Sequence, residues 1–471
     1  MLLVIFWRTP AVASTARHYT ELEFPPLREI EIPQYERYEL DNGMVVYLME
    51  DRELPLVSGT ATIRTGSRWE PAEKVGLAEL TGTVMRLGGT QEHPADELNE
   101  MLEQRAAIVE TNIGTASGVA SFNALSEDLN TVFELFAEVI QEPAFPQEKL
   151  ALAKKQAEGA IARRNDDPDG IASREFRKLI YGKTSPYART VEYSTLENID
   201  RADLVQFHEQ YFRPENTILG IVGDFEPEQM KALVEETFGN WSSGSDKSMP
   251  TIPSASQENE GGIFFVNQPQ LTQSYIQMGH IGGLLDSPDY PALSVLNGVL
   301  NGFGGRLFNE VRSRQGLAYV AYGYWSARYD YPGILIAGGQ TQSQRTVPFI
   351  KAIFSELERI RTAPISPEEL AYAKESILNS FVFNFQDPSQ FLARLIRYEY
   401  YDYPKDFIFQ YQRAVKSVTA EDVQRVANQY LRPEQILTLV VGSQGEIQPP
   451  LSILDATVRV VDISIPQTQQ S

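Results

Sequence analysis

The sequence predicts an α+β protein built twice over, as two homologous halves that each layer helices on an antiparallel or mixed β-sheet. Three observations predict it. Gln210-Tyr211-Phe212-Arg213-Pro214-Glu215 returns 219 positions later as Gln429-Tyr430-Leu431-Arg432-Pro433-Glu434. Each copy runs into an apolar strand closing in glycine, Ile218 to Gly223 and Ile436 to Gly442. A second echo pairs Ala153-Lys154 with Ala373-Lys374, and Asp167-Pro168 with Asp387-Pro388, both at an offset of 220. Two echoes at nearly one offset mark a tandem duplication of a single folding unit.

The elements of the first half follow in order. Tyr38 to Met49 alternates around the turn Asp41-Asn42-Gly43, and Val57 to Thr65 continues as a second strand. Gly76 to Leu87 and Ala95 to Gln104 read as helices, with Pro94 and Ala95 opening the second. Ala107 to Asn123 is rich in small and β-forming residues. Ser126-Glu127-Asp128 then introduces Leu129 to Gln141, whose apolar spacing fits a buried helical face, so helices cover one face of the sheet. Ser242 to Gly262 is rich in Ser, Pro, Gly and Glu, the composition of an exposed linker. The expected division is an N-terminal segment 1–30, a first domain 31–241, a linker 242–262 and a second domain 263–471.

Composition narrows the function. Of 471 residues, 41 are Lys or Arg and 63 are Asp or Glu, a formal net charge of −22. That argues against nucleic acid or anionic membrane as partner, and it suits solubility or a cationic peptide. With no cysteine, thiol nucleophiles and Cys-ligated zinc are excluded. The four histidines, His18, His93, His208 and His280, include no pair three or four apart, so no helix can present two imidazoles on one face. No apolar run reaches the ~20 residues of a membrane helix. Met1 to Trp7 is apolar and Ala11 to Ala16 is small, which fits the back end of a secretory signal lacking its basic start. The expectation is export to the periplasm, the alternative a cytoplasmic protein with a frayed N-terminus.

Gly76-Leu77-Ala78 and Gly89-Thr90 bracket the first helix. Here the chain resembles the pitrilysin/insulinase (inverzincin) peptidases, whose zinc helix lies between such landmarks and carries His-x-x-Glu-His. In that register Glu79 stands where the first His belongs, Gly82 replaces the base and Thr83 the second His. The family's third ligand, a glutamate, falls at Gly159 or Ala160 when set by Asn165-Asp166-Asp167-Pro168, while the adjacent Glu158 is turned about 100° away on a helix. Every ligand position and the base are lost together. The expectation is a chain without metal.

In the second half, Asn301-Gly302-Phe303-Gly304-Gly305-Arg306-Leu307-Phe308 offers three glycines in four residues. It is a weak phosphate signal, since neither Gly-x-Gly-x-x-Gly nor a P-loop is present, and a tight turn before a helix near Arg306 fits better. This stretch resembles the family's second half, where such a turn precedes an Arg and a Tyr seven positions apart, matched by Arg312 and Tyr319. In the family that pair reaches toward the zinc site, and a guanidinium and a phenol suit a developing oxyanion. Gly302, Gly304 and Gly305 are weaker substrate-binding candidates. A surface arginine beside a turn-capping tyrosine is the competing reading.

The resemblance runs from about Tyr35 to Gly442 and includes Ser126-Glu127-Asp128-Leu129, Ser185-Pro186-Tyr187 and Tyr211 through Gly223. It implies two halves that form one side of a clam-shell chamber. It points to the non-zinc subunit of the mitochondrial-processing-peptidase-like branch, similar to bacterial and cyanobacterial members. Such a chain is inactive alone and completes a zinc metalloendopeptidase with a homologous subunit that bears the zinc motif, acting on peptides or unfolded polypeptide. An extended substrate adds to a sheet edge in the zinc-bearing subunit. The corresponding segment here, Glu110 to Ser117, is small and polar and makes a weaker contact. The alternative is a catalytically inert core subunit of a larger complex.

Overall fold

A computed structural model describes residues 33–242 and 248–466. The N-terminal apolar run and His18 lie outside the described residues. The first half contains strands β1 (Glu36–Glu39), β2 (Val45–Glu50), β3 (Leu56–Ile63), β4 (Ile108–Ile113), β5 (Gly118–Leu125) and β6 (Thr217–Gly223). Its helices are α1 (Leu77–Leu87), α2 (Ala95–Glu103), α3 (Leu129–Gln141), α4 (Gln147–Arg163), α5 (Pro168–Tyr181), α6 (Tyr193–Glu197), α7 (Arg201–Tyr211) and α8 (Pro227–Phe238). The second half contains β7 (Gly262–Asn267), β8 (Gln273–Ile281), β9 (Ala318–Ser326), β10 (Ile334–Gln342), β11 (Leu437–Gly442) and β12 (Val458–Val460). Its helices are α9 (Tyr290–Leu300), α10 (Thr346–Thr362), α11 (Pro367–Ser380), α12 (Pro388–Tyr400), α13 (Phe407–Ser417) and α14 (Ala420–Tyr430), with a short π-helical segment at Phe308–Arg314.

The two six-stranded sheets run β1-β2-β6-β3-β5-β4 and β12-β7-β11-β8-β10-β9. From the second strand onward they correspond one to one. β2 and β6 pair in parallel, as do β7 and β11, while the neighbours β3 and β8 run antiparallel to them, so both sheets are mixed. β6 and β11 are buried along their whole length, as continuous apolar strands at a sheet centre should be. β3 instead alternates buried and half-buried residues, the period-two pattern of a strand with unlike faces.

Helices cover both faces of each sheet, where the sequence predicted one. α3 buries Val132, Phe133, Phe136 and Ile140 on the first sheet's inner face. The opposite face of that sheet is covered from the other half: Phe391, Leu392, Leu395 and Ile396 of α12 pack on Tyr47, Met49, Ile218 and Val222. Reciprocally, Ile171, Phe176 and Ile180 of α5 pack on Phe264, Val266, Leu437 and Leu439 of the second sheet. The repeated Asp-Pro explains the local starts. Asp167 accepts from the Asp169 and Gly170 amides and Asp387 from the Ser389 amide, with proline at the first helical position each time. Gly220 allows the close approach of α12, since a Cβ there would lie 2.3 Å from Ile396 Cδ1.

Residues 248–261 form no helix or strand but are tied to both halves. The Tyr187 hydroxyl donates to Pro253 O at 2.6 Å and the Glu258 amide to Ile180 O at 2.7 Å. Gln257 bridges to the second half through Gln435 O and the Ile281 amide. The segment is a half-buried strap, more tied down than the exposed linker its composition suggests.

Two histidines serve the core. His208 and His280 are buried, and each ring donates to a backbone carbonyl, Ile140 O at 2.7 Å and Ile281 O at 2.6 Å. Burial pushes both down to about 4 from the ordinary 6.5. Folded imidazoles with depressed pKa values bind fewer protons than unfolded ones, so their contribution to stability is full above about 6.5 and is lost as pH falls toward 4. Urea midpoints are therefore expected to fall between pH 7 and pH 5. A flat profile over that range contradicts neutral buried rings.

Candidate functional site

α1 is held at its start by Glu70, whose carboxylate accepts from the Ala78 amide at 3.0 Å, and burial pushes that carboxyl up. Gly76, at φ +106°, makes the left-handed entry. Along its length, Thr111 Oγ1 donates to Gly82 O at 2.6 Å and Arg86 Nε to Val109 O at 2.7 Å, clamping the helix to β4. The free edge of β4 is therefore already used at Val109. Beyond Ile113, a turn closed by Gly114 N–H to Ser117 O at 2.9 Å replaces strand, so Glu110 to Ser117 is not one extended edge.

Glu79, Thr83 and Ala160 line one cavity of about 380 Å³ between α1 and α4. Of the two candidates for the third position Ala160 lines this cavity and Gly159 does not, and Glu158 is exposed outside the lining. One carboxylate, one hydroxyl and one methyl do not make a catalytic zinc site, which needs three protein ligands. Among the described residues no group of three His, Cys, Asp or Glu could hold a metal. The residues present do not fit zinc. Gly82 faces the strand: a Cβ there would lie 2.8 Å from the Ile113 amide nitrogen.

This gives a metal prediction. The purified chain carries no stoichiometric zinc, whereas Glu79→His, Thr83→His and Ala160→Glu together create three ligands and bring in about one equivalent. Adding Gly82→Glu destabilises that variant by about 1–3 kcal/mol through overpacking on β4. Elemental analysis after exhaustive dialysis checks the first part and urea unfolding the second. One equivalent of zinc in the unmodified chain contradicts the reading.

The second candidate site gathers around Arg312. Asn301 ties the glycine turn to β9, its side chain donating to Gly323 O at 2.6 Å and accepting from Gly323 N at 3.1 Å. Gly302 sits at φ +78° and lines a cavity together with Arg312 and Tyr319. Gly304 donates to the Tyr372 hydroxyl at 3.1 Å and Gly305 to Gly302 O at 3.0 Å, so both amides are engaged within the turn and its support. A Cβ at Gly304 would strike the Tyr372 ring. With the Gly304 and Gly305 amides engaged, these glycines shape a turn rather than a phosphate cradle.

The π-helical segment then carries Arg312, whose guanidinium lies 4.8 Å over the Phe308 ring and 4.5 Å over the Tyr319 ring. The structure brings Arg312 and Tyr319, matched in the sequence by their spacing, into contact. Neighbouring cations are neutralised: Arg306 by Glu369, Arg314 by Glu310 and Arg359 by Glu356. The Arg312 guanidinium has no hydrogen bond or ion pair among the described residues. Around it, Phe303 is 81% and Tyr319 78% exposed, an unusual outlay of aromatic surface at the mouth of a cavity of about 310 Å³. Phe308 and Phe303 escaped the sequence reading, although Phe308 stands four residues before Arg312, a same-face spacing on a helix.

Comparison with known proteins agrees with this geometry. Residues 46–190 match the family model for insulinase (peptidase family M16), and residues 198–377 match the model for the peptidase M16 inactive domain. The uncharacterized zinc protease YmxG of Bacillus subtilis is 25% identical over 413 residues, 86% of this chain and 98% of that protein. The zinc protease PqqE of Helicobacter pylori is 22% identical over 419 residues, 87% of this chain and 93% of that protein. The crystal structure of a peptidase M16 inactive domain from Pseudomonas fluorescens superposes with a TM-score of 0.77 at 24% identity, over 88% of this chain and all of that one. With two sheet-and-helix halves, matches to both models and relatives aligned over nearly their full length, this chain belongs to the insulinase (M16) peptidase family.

Proposed function

We propose that this chain is the non-zinc subunit of a heterodimeric zinc peptidase acting on peptides, and that it lends Arg312 and Tyr319 to the active site of a homologous subunit bearing the intact zinc motif. The observation that carries the reading is the un-neutralised Arg312 guanidinium, held within 4.8 Å of the Phe308 ring and 4.5 Å of the Tyr319 ring beside a cavity. Cation–π contact holds the guanidinium without consuming its N–H donors, so they stay free for an oxygen brought by substrate. Peptide hydrolysis places negative charge on the carbonyl oxygen, and preorganised donors at that oxygen lower the barrier. Tyr319, exposed beside Arg312, adds a phenol hydroxyl. Zinc chemistry is left to the partner.

An inert core subunit would have no use for an unpaired arginine held this way. Sedimentation of an equimolar mixture with a zinc-motif homologue tests the pairing: a single heterodimer boundary supports it, and two independently sedimenting chains contradict it. We extend the proposal to an exported location, tested by fractionating cells that express the chain with its native N-terminus.

A further inference from the structure

Arg312 and Tyr319 come from two different segments, and one side chain fastens those segments together. β9 is an edge strand of the second sheet. On its open side the peptide groups of alternate residues, Gly323 and Trp325, meet two carboxamides where a neighbouring strand would lie. Asn297 donates to Trp325 O at 3.1 Å and accepts from Trp325 N at 2.7 Å. Asn301 does the same one rung along, with Gly323 O at 2.6 Å and Gly323 N at 3.1 Å. A carboxamide carries both a donor and an acceptor, so it stands in for a peptide group of a paired strand. The two asparagines are four residues apart, a spacing that places them on one face of α9 and its end. Asn301 Nδ2 also donates to Asn297 O at 2.7 Å, where α9 stops.

The two asparagines differ in what they hold. Asn297 lies within α9 and fastens that helix, whereas Asn301 stands where the helix gives way to the glycine turn. In one direction from Asn301 the chain passes Gly305, packed so closely that a Cβ there would lie 2.1 Å from Asn301 O, and enters the π-helical segment with Phe308 and Arg312. In the other, Gly323 leads back along β9 to Tyr319. Beside Arg312 the segment and the strand are also joined by the Leu317 amide, which donates to Val311 O at 2.9 Å. One such joint leaves a segment able to tilt, and the Asn301 pair supplies a second fixed point. We propose that Asn301 is a positioning residue for the Arg312–Tyr319 pair, holding the guanidinium over the Tyr319 ring by locking the glycine turn to β9. The inference rests on the proposed use of that pair by a zinc-bearing subunit.

The test is a double-mutant cycle in the equimolar mixture with a zinc-motif homologue, reading kcat and KM on an unstructured peptide. Asn301→Ala is expected to lower kcat about 10- to 100-fold with KM little changed, the scale of a misplacement of about 1 Å. In an Arg312→Ala background the same change costs nothing further, because a residue that acts through Arg312 has nothing left to position. Asn297→Ala, which loses the same two bonds one rung away, keeps kcat within about 3-fold, and circular dichroism checks the fold of every variant. Asn301→Gln keeps the carboxamide but lengthens its reach, and the cycle is read from it if the alanine variant does not fold. Full activity of Asn301→Ala, a loss that persists undiminished in the Arg312→Ala background, or an equal fall in kcat with Asn297→Ala overturns the inference. Loss of the fold in both Asn301 variants also overturns it and leaves Asn301 a structural role alone. A rate untouched by Arg312→Ala ends the trans-site reading and this inference with it, whereas a rate lost with Arg312→Ala and kept with Asn301→Ala overturns this inference only.

Discussion

Replacing Arg312 with alanine is expected to lower peptide hydrolysis by the assembled pair about 10²–10³-fold, the cost of removing one preorganised donor from a developing oxyanion. The loss falls mainly on kcat, because the interaction strengthens as charge develops on the oxygen. Arg312→Lys does not rescue, since a point ammonium lacks the planar fork that lies over the Phe308 and Tyr319 rings. Tyr319→Phe keeps the ring under the guanidinium and removes only the hydroxyl, so it costs less than Arg312→Ala. The Arg312 side chain makes no hydrogen bond or ion pair among the described residues, so its removal is expected to leave folding and pairing intact, which sedimentation of the variant mixture checks. A fully active Arg312→Ala mixture ends the trans-site account.

The largest stability loss is expected at the contact between the halves. Arg68, in the first half, is 4% exposed and pairs with Asp330 on the loop between β9 and β10. Its guanidinium also lies 4.4 Å over the Trp69 ring, and its Nε has no partner. Tyrosines close the surroundings, Tyr187 stacked on Tyr331 at 4.1 Å and Tyr329 on Tyr401 at 4.6 Å. Asp330→Ala strands that buried cation and is expected to cost about 3–5 kcal/mol. Replacing both partners with apolar residues of similar size costs much less, because the penalty lies in the uncompensated charge rather than in the loss of attraction. Chemical denaturation of the single and double variants measures this. Equal losses in both contradict it.

Much of the fold was legible because its signals are local. Leu129 to Gln141 carries its apolar face in its own spacing, and the structure returns the same bounds. The two Asp-Pro echoes are helix starts whose capping chemistry lies within three residues. The exchange of α5 and α12 between sheets was not legible. Phe176 and Phe391 look like any amphipathic residues, and which sheet they meet depends on chain crossings with no local trace.

The site divides in the same way. Glu79 and Thr83 sit one turn apart on one helix, so their shared cavity followed from spacing. Choosing Ala160 over Gly159 required the packing of α4 on α1. The crowding at Gly82 came from β4, far along the chain, and only coordinates reveal it. Arg312 and Tyr319 were found by register, but the absence of a carboxylate partner could not be read from a sequence with 63 acidic residues.

The central claim is division of labour between a chain without zinc ligands and one that has them. Its most direct test is the rate at which an unstructured peptide is cleaved by this chain, by a purified zinc-motif homologue, and by their equimolar mixture. The account predicts negligible cleavage by either alone and robust cleavage by the mixture. Cleavage by this chain alone, or a mixture no faster than the homologue alone, would contradict it.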